Sequence, residues 1–431
     1  MITRSRELTY RLLRWSEQYT KVDMLYLAHG GFWAIVGQIV SSLSVLAVSV
    51  LLARYLNQDQ YGQYKYVLSL VSLLSIASLS GLSTSVLQSA ARGFDGALPE
   101  GFRISLRWSI LMFAGALAIG GYYLLQGNFL LGVGMLVGGC LAPFIASANL
   151  YSPFLAAKKD FARQTIYMIG AVMLLPSAAL IATAFLTHDP LAVVLAYFIS
   201  NAAGALFFYY RTLKAYRAER GQKDPGMLTY SKHLSFMGIL GGVASNLDQI
   251  LLFQFVGPAQ LAVYNFATGI PDQLKGPLKN LDGMLQARFA SHLSANIRNS
   301  MRNKSLLLLA FGIVSSAVYI PLAPYLFEML FPRYMNAVPY SQFYALYLLS
   351  LPFIPSMSYL TSKRLIKEQY IDGVISHTSK ILFTLIGVVG WGLWGLIVAV
   401  VAARFAGGLS SYTLYRIASR RNPGEYNEDN A

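Results

Sequence analysis

The chain has 431 residues, of which 55% are hydrophobic and 12% charged, with a formal net charge of +15. A soluble domain carries roughly twice that charged fraction, so the composition excludes a soluble enzyme and fits a chain built from many membrane-spanning helices. One cysteine, Cys140, and five scattered histidines leave no disulfide and no Cys- or His-rich metal site to expect, and in so apolar a chain a basic excess reads as loop charge at one membrane face before it reads as nucleic-acid binding.

In chain order, Leu8, Leu12, Trp15, Tyr19, Val22 and Tyr26 recur at helical spacing among arginines, which predicts an interfacial amphipathic helix over 1–26. Twelve apolar runs of spanning length follow, at 27–53, 64–87, 104–126, 128–157, 164–187 and 190–210, then at 234–256, 260–282, 305–331, 338–362, 371–390 and 391–416. The connections between spans three and four, five and six, and eleven and twelve are so short that each pair reads as an antiparallel hairpin. The expected organisation is a six-helix bundle over 27–210, a basic linker over 211–233, a second six-helix bundle over 234–416 and a polar tail over 417–431.

Basic residues orient the spans, because the bias is counted in short loops near helix ends. Twenty-seven Lys and Arg fall in the two termini and the even-numbered connections, against three (Arg54, Lys65 and Arg333) on the other side. Both termini are therefore expected in the cytoplasm of a multi-pass membrane protein. The remaining four, Lys275, Lys279, Lys380 and Arg404, lie inside predicted spans.

Around the first helix pair the two halves align without gaps at an offset of 200, placing Leu51, Leu52, Gln60 and Tyr64 on Leu251, Leu252, Gln260 and Tyr264, and further on Ala157, Lys158, Lys159 and Gln164 correspond to Ser362, Lys363, Arg364 and Gln369 at an offset of 205. Six spans per half keep the halves in like orientation, with a symmetry axis along the membrane normal and the site between them. The stretch 51–92 contains Ala53, Arg54, Leu56, the Tyr61-Gly62 turn and Gly81-Leu82-Ser83, and 255–267 reads FVGPAQLAVYNFA. In these features the chain resembles the Wzx-type oligosaccharide flippases, polysaccharide transporters of the multidrug/oligosaccharidyl-lipid/polysaccharide exporter (MOP) superfamily. Many members place an acid just before the Gly-Leu pair, where this chain has Ser80.

The resemblance implies an all-α, V-shaped pair of six-helix bundles that opens alternately to either side. Spans one, two, seven and eight would line the cavity, and the late helices would be more peripheral. The implied cargo is a polyprenyl-pyrophosphate-linked oligosaccharide of O-antigen or exopolysaccharide assembly. Membrane lipids, and a polymerase or glycosyltransferase of the same pathway, are the implied partners, and no nucleic acid is.

A charge inside hydrocarbon costs about 3 kcal/mol on insertion scales, so it should face water, cargo or a counter-charge. In the eighth span Asp272, Lys275, Lys279, Asp282 and Gln286 recur at spacings of three and four, one helical stripe, with Gln273 beside it. Pro271 and Pro277 should loosen that helix where it borders a cavity. The seventh span supplies Asn246, Asp248 and Gln249. From the helix rise, Asp248 lies about 13 Å and Asp272 about 18 Å from the outer ends of their spans.

These residues are the candidate substrate site: Lys275 and Lys279 for pyrophosphate, with Asp248 and Asp272 holding the lysines or a coupling proton or sodium ion when cargo is absent. The alternative for the same four groups is a set of static ion pairs between two helices. Lys380 and Arg404 extend the basic wall or form a local polar network, and Arg54 is an outer anchor or ligand. Phe32, Trp33, Gln38 and Ser41 are candidate sugar contacts on the first span, whereas the serines of the second suit close packing.

No cofactor is expected: the chain has no GxxxxGK[ST] phosphate loop, so it binds no ATP that way. A cation-coupled multidrug exporter of the same superfamily is the nearest alternative. A major-facilitator transporter would carry GxxxDRxGRR in its second-to-third connection, which here reads RGFDGALPEGFR over 92–103. A membrane polymerase or ligase of glycan assembly needs a positioned acid–base pair, and the outer connections offer only His188, Asp189, Glu328 and Arg333. Transport without catalysis is the expectation.

Overall fold

The structure is a computed structural model and describes residues 24–187, 189–274, 294–363 and 365–421. Among these, all regular structure is helical, as hydrocarbon requires of a backbone that must satisfy its own hydrogen bonds. Nine described helices are long and apolar enough to cross a membrane, or ten when one bent pair counts as a single span. The amphipathic helix expected over 1–26 falls almost wholly outside the described residues, as do Lys275, Lys279, Asp282 and Gln286.

The first span is α1 (Met24–Tyr55). The second begins as α2 (Gln58–Leu74), capped by Asn57, whose side chain and that of Gln60 each accept the other's backbone N–H. A 3-10 turn at Ser75–Ser78 and Leu79, in the left-handed region at φ 61°, lead into α3 (Leu82–Ala91), bent by 50° from α2. Then come α4 (Ala97–Trp108), α5 (Ile110–Leu125), α6 (Phe129–Ala148), α7 (Tyr151–Ala157) and α8 (Phe161–Met168). A π turn joins α8 to α9 (Leu175–Thr187), and α10 (Pro190–Ala215) follows.

The linker is shorter than the sequence suggests, because α10 continues to Ala215 and α11 (Met227–Phe255) starts early. Leu213 and Met227 are buried and extend both helices beyond their apolar runs. Next are α12 (Pro258–Leu274), α13 (Ser294–Leu330), α14 (Val338–Tyr344), a 3-10 stretch at Ala345–Phe353 and α15 (Ile354–Ser362). The eighth span is thus described only to Leu274.

The last two predicted spans form one helical element, α16 (Ile366–Arg421), which reverses at Gly392, where φ is 60° and ψ −133°. In a straight helix Asp372 and Ser411 would stand about 58 Å apart. Here the Ser411 hydroxyl donates to Asp372 Oδ2 at 2.9 Å, so α16 is an antiparallel hairpin. Its second arm runs on to Arg421, five residues into the stretch expected to be tail.

Buried side chains gather differently at the two ends of the molecule. At the end opposite the basic connections, one cluster draws on residues from Leu52 to Val401, including the offset pairs Leu52 with Leu252 and Tyr64 with Tyr264. At the basic end, one cluster runs from Leu79 to Met227, and a separate one holds Met301, Tyr359, Leu360 and Tyr415. α2 and the start of α12 approach closely at Gly62, where an added Cβ would lie 1.9 Å from the Pro258 carbonyl oxygen. Near the basic end, Gly81 sits tight against α11 and donates its N–H to Ser235 Oγ at 2.9 Å.

Candidate functional site

Residues of α1, α2, α11, α12, α13, α14 and α16 enclose a cavity of about 630 Å³. Five charged side chains line it: Lys65, Lys380, Arg404, Asp248 and Asp272. Cations therefore outnumber carboxylates among its described lining residues.

Asp248 is buried on α11 and well supplied with donors. The Tyr264 hydroxyl donates to Oδ2 at 2.8 Å, the Gln249 N–H to Oδ1 at 3.0 Å, and Lys380 Nζ stands 3.7 Å from Oδ2. Such ligation offsets the cost of holding a carboxylate in hydrocarbon. Asp272 Oδ1 accepts from the Tyr344 hydroxyl at 3.2 Å, and the neighbouring Pro271 carbonyl accepts from Tyr347 at 3.0 Å.

Lys65 and Arg404 are placed differently. Lys65 Nζ lies 5.6 Å from the Tyr61 ring centre and 6.0 Å from that of Tyr64, a cation–π setting. Among the described residues neither Lys65 nor Arg404 has a carboxylate within ion-pairing distance. Both positive charges are available to an anion in the cavity.

Neutral hydrogen bonds join the walls. Ser69 Oγ on α2 donates to Gln249 Oε1 on α11 at 2.9 Å. Gln38 donates to Ser42 Oγ at 3.2 Å, and Ser42 Oγ on α1 donates to Gln273 Oε1 on α12 at 2.8 Å. Each bond contributes about 1 kcal/mol net, little enough to be exchanged during a conformational change. The end away from the basic connections is closed by packed rings: Phe266 lies 4.6 Å from Tyr61, 4.1 Å from Tyr334 and 4.8 Å from Phe331. Beside them Phe253 stacks on Tyr66 at 3.7 Å, and Gln254 donates to the hydroxyls of Tyr66 and Tyr123.

Of the residues singled out in the sequence, Asp248, Gln249, Asp272, Gln273, Lys380 and Arg404 all reach this cavity. The peripheral placement expected for the late helices is corrected: α16 packs along α11 and carries both of its cations to the cavity wall. Asn246 does not line it, since its amide turns back to the Gly242 carbonyl at 3.1 Å. Arg54 is exposed at the end of α1, and its carbonyl accepts from Arg333 at 2.8 Å. Phe32, Trp33 and Ser41 are not cavity residues; the contribution of α1 begins at Ser42.

Lys65, counted among the outer loop charges, was missed as a site residue, as were the hydroxyls of Tyr264 and Tyr344. The available signal was position: Lys65 is seven residues beyond the start of α2, about 10 Å along it, and one turn from both Tyr61 and Ser69.

The family model described as polysaccharide biosynthesis protein matches residues 27–272, more than half of the chain. The chain belongs to this polysaccharide biosynthesis protein family. Among solved structures, an inward-facing multidrug resistance MATE family transporter of the MOP superfamily superposes with a TM-score of 0.66 at 17% identity, covering 90% of this chain and 98% of that one. An outward-facing conformation gives 0.65 at 14% identity, covering 92% and 96%. A MOP superfamily transporter from Pyrococcus furiosus, whose binding pocket of reverse polarity is said to suggest a different function, gives 0.64 at 14% identity, covering 91% and 95%. No curated protein matches the sequence.

At such identities the structural likeness establishes the fold, which is that of the MOP superfamily, while the sequence match establishes the family. The chain is thus a multi-pass membrane protein of the polysaccharide biosynthesis protein family, built on the fold that MOP-superfamily transporters share. The resemblance to Wzx-type polysaccharide transporters holds at the level of family and fold.

Proposed function

We propose that the protein moves a polyprenyl-pyrophosphate-linked oligosaccharide across the bacterial inner membrane by alternating access, with both termini in the cytoplasm. The observation that carries this reading is the pair of cations, Lys65 and Arg404, facing a central cavity with no carboxylate partner among the described residues. An exporter of cationic drugs gains nothing from free positive charge in its cavity, whereas a pyrophosphate is attracted by it.

In this reading the basic connections face the cytoplasm, and the ring cluster around Phe266 is the closed outer gate. Headgroup phosphates would be met by Lys65 and Arg404 and sugars by Ser42, Gln249 and Gln273, while the isoprenoid tail stays in lipid. Lys380 neutralises Asp248 in the empty cavity. When cargo draws that lysine away, Asp248 takes up a proton or sodium ion, giving the carrier a coupling site. The membrane potential adds about 2.3 kcal/mol per charge per 100 mV to outward movement of an anion.

Complementation tests the reading. In a strain lacking the gene, the wild-type chain restores surface glycan, and Lys65→Gln with Arg404→Gln does not, at equal membrane abundance. Full glycan output from that double variant would remove the cationic site from the account. Lys275→Ala with Lys279→Ala tests the second half of the eighth span in the same assay.

A further inference from the structure

A second cavity, of about 500 Å³, opens at the basic end between α13, α15 and the second arm of α16. It shares no lining residue with the central cavity. Arg302 comes from α13, and Arg416 and Arg420, one turn apart, come from α16. No acidic residue is among the described residues that line it, and none of the three arginines has an ion-pair partner among the described residues.

Three guanidinium groups around one concavity repel each other unless something anionic sits between them. Their donor forks match the oxygens of a phosphate, and Arg416 is steadied by the Tyr412 ring 5.7 Å away. A further observation points to the same ligand. Ser356, on α15, is only 1% exposed, lines this cavity, and has no hydrogen-bond partner for its Oγ among the described residues. A buried hydroxyl without a partner is costly, and an oxyanion would accept a hydrogen bond from it.

The walls indicate the source of the phosphate. Leu306 and Leu309 line the cavity beside Arg302, and Leu306 and Leu307 are 55% and 70% exposed on the outer surface of α13. A phosphate seated among the arginines would have its acyl chains against these leucines. We propose that Arg302, Arg416, Arg420 and Ser356 form a binding site for the phosphate of an anionic membrane phospholipid, separate from the transport cavity. The site does not depend on the cargo proposed for the central cavity.

The test is a binding titration of the purified full-length protein in phosphatidylcholine nanodiscs, by native mass spectrometry and thermal midpoint. Phosphatidylglycerol, phosphatidylcholine of the same chain length and inorganic phosphate are compared. Saturable binding and a raised midpoint are expected with phosphatidylglycerol alone, with inorganic phosphate at most a weak competitor. Arg416→Gln should weaken phosphatidylglycerol binding about tenfold, the loss of one charge-assisted contact. Ser356→Ala, which leaves every charge in place, should weaken it about fivefold and keeps the test open should an arginine variant fold poorly. Equal binding of the two lipids, binding of inorganic phosphate as tight as that of phosphatidylglycerol, or unchanged affinity in both variants would overturn the proposal.

Discussion

Tyr264 and Lys380 meet at one carboxylate oxygen: the hydroxyl donates to Asp248 Oδ2 at 2.8 Å, and Lys380 Nζ lies 3.7 Å from the same atom. The three groups come from α12, the first arm of α16 and α11, so their contact ties the late helices to the cavity wall. Removing only the cation leaves a buried charge uncompensated. Lys380→Met should lower stability by about 3 kcal/mol, and adding Asp248→Asn should recover most of that loss. Thermal unfolding in detergent of both single variants and the double variant measures the coupling. Additive losses would show that lysine and aspartate do not act as a pair.

Lys65 and Arg404 should behave in the opposite way. Neither has a carboxylate partner to strand among the described residues, so Lys65→Gln and Arg404→Gln should leave the thermal midpoint nearly unchanged while weakening capture of an anionic cargo about tenfold each. Cargo titration on purified variants checks this. A large loss of stability with normal cargo affinity would make these residues structural.

Much of the fold was legible because hydrocarbon imposes a simple rule on the sequence: apolar runs of spanning length, separated by short basic connections at one end. The α16 hairpin was visible as two runs meeting near Gly390 and Trp391, and the turn falls at Gly392. The site was legible where a charge interrupts an apolar run, as at Asp248, Asp272, Lys380 and Arg404. Lys65 was not, because it stands near a helix start, where a lysine looks the same whether it snorkels outward or turns inward. Tyr264 and Tyr344 were hidden for a related reason. In a chain with 28 tyrosines, composition does not distinguish a ring at the membrane interface from one whose hydroxyl ligates a buried carboxylate. That α16 reaches the cavity follows from its packing along α11, which no local pattern encodes.

The closed end depends on the approach of α2 to the start of α12. With an added Cβ at residue 62 falling 1.9 Å from the Pro258 oxygen, Gly62→Val cannot be accommodated without separating these helices. Phe266, 3% exposed behind this contact, reports on the separation. In a Cys140→Ser background, Phe266→Cys should resist a membrane-impermeant thiol reagent and become reactive once Gly62→Val is added. Continued protection with undiminished glycan output would refute Gly62 as the closing contact.

At the basic end the linker is fastened to the second-to-third connection through Asp224. Ser89 Oγ donates to its carboxylate at 2.6 Å, the Gly226 N–H at 3.0 Å and Arg92 at 2.5 Å. The Ser89 hydrogen bond, then the Gly226 N–H and the Arg92 charge, hold this carboxyl below its ordinary 3.8 against the opposing effect of burial. A carboxyl whose folded value is depressed adds stability above its unfolded value and loses it as pH falls through the folded one. Asp224→Asn should therefore lower stability by about 1–2 kcal/mol at neutral pH. The gap between wild-type and variant midpoints should stay constant down to about pH 5 and close below the carboxyl's ordinary value. A gap that persists unchanged in acid would assign the effect to shape rather than charge.

Reconstitution is the most direct measurement of the central claim. Proteoliposomes carrying the purified chain and a fluorescent polyprenyl-pyrophosphate oligosaccharide are exposed to a membrane-impermeant quencher, and the fraction of headgroups that becomes accessible is followed over time. The account predicts that the wild-type chain moves the anionic headgroup and that the Lys65→Gln, Arg404→Gln double variant, equally stable and equally inserted, does not. Transport of the headgroup at the wild-type rate by that variant, or wild-type vesicles that expel a cationic drug while leaving the headgroup in place, would contradict it.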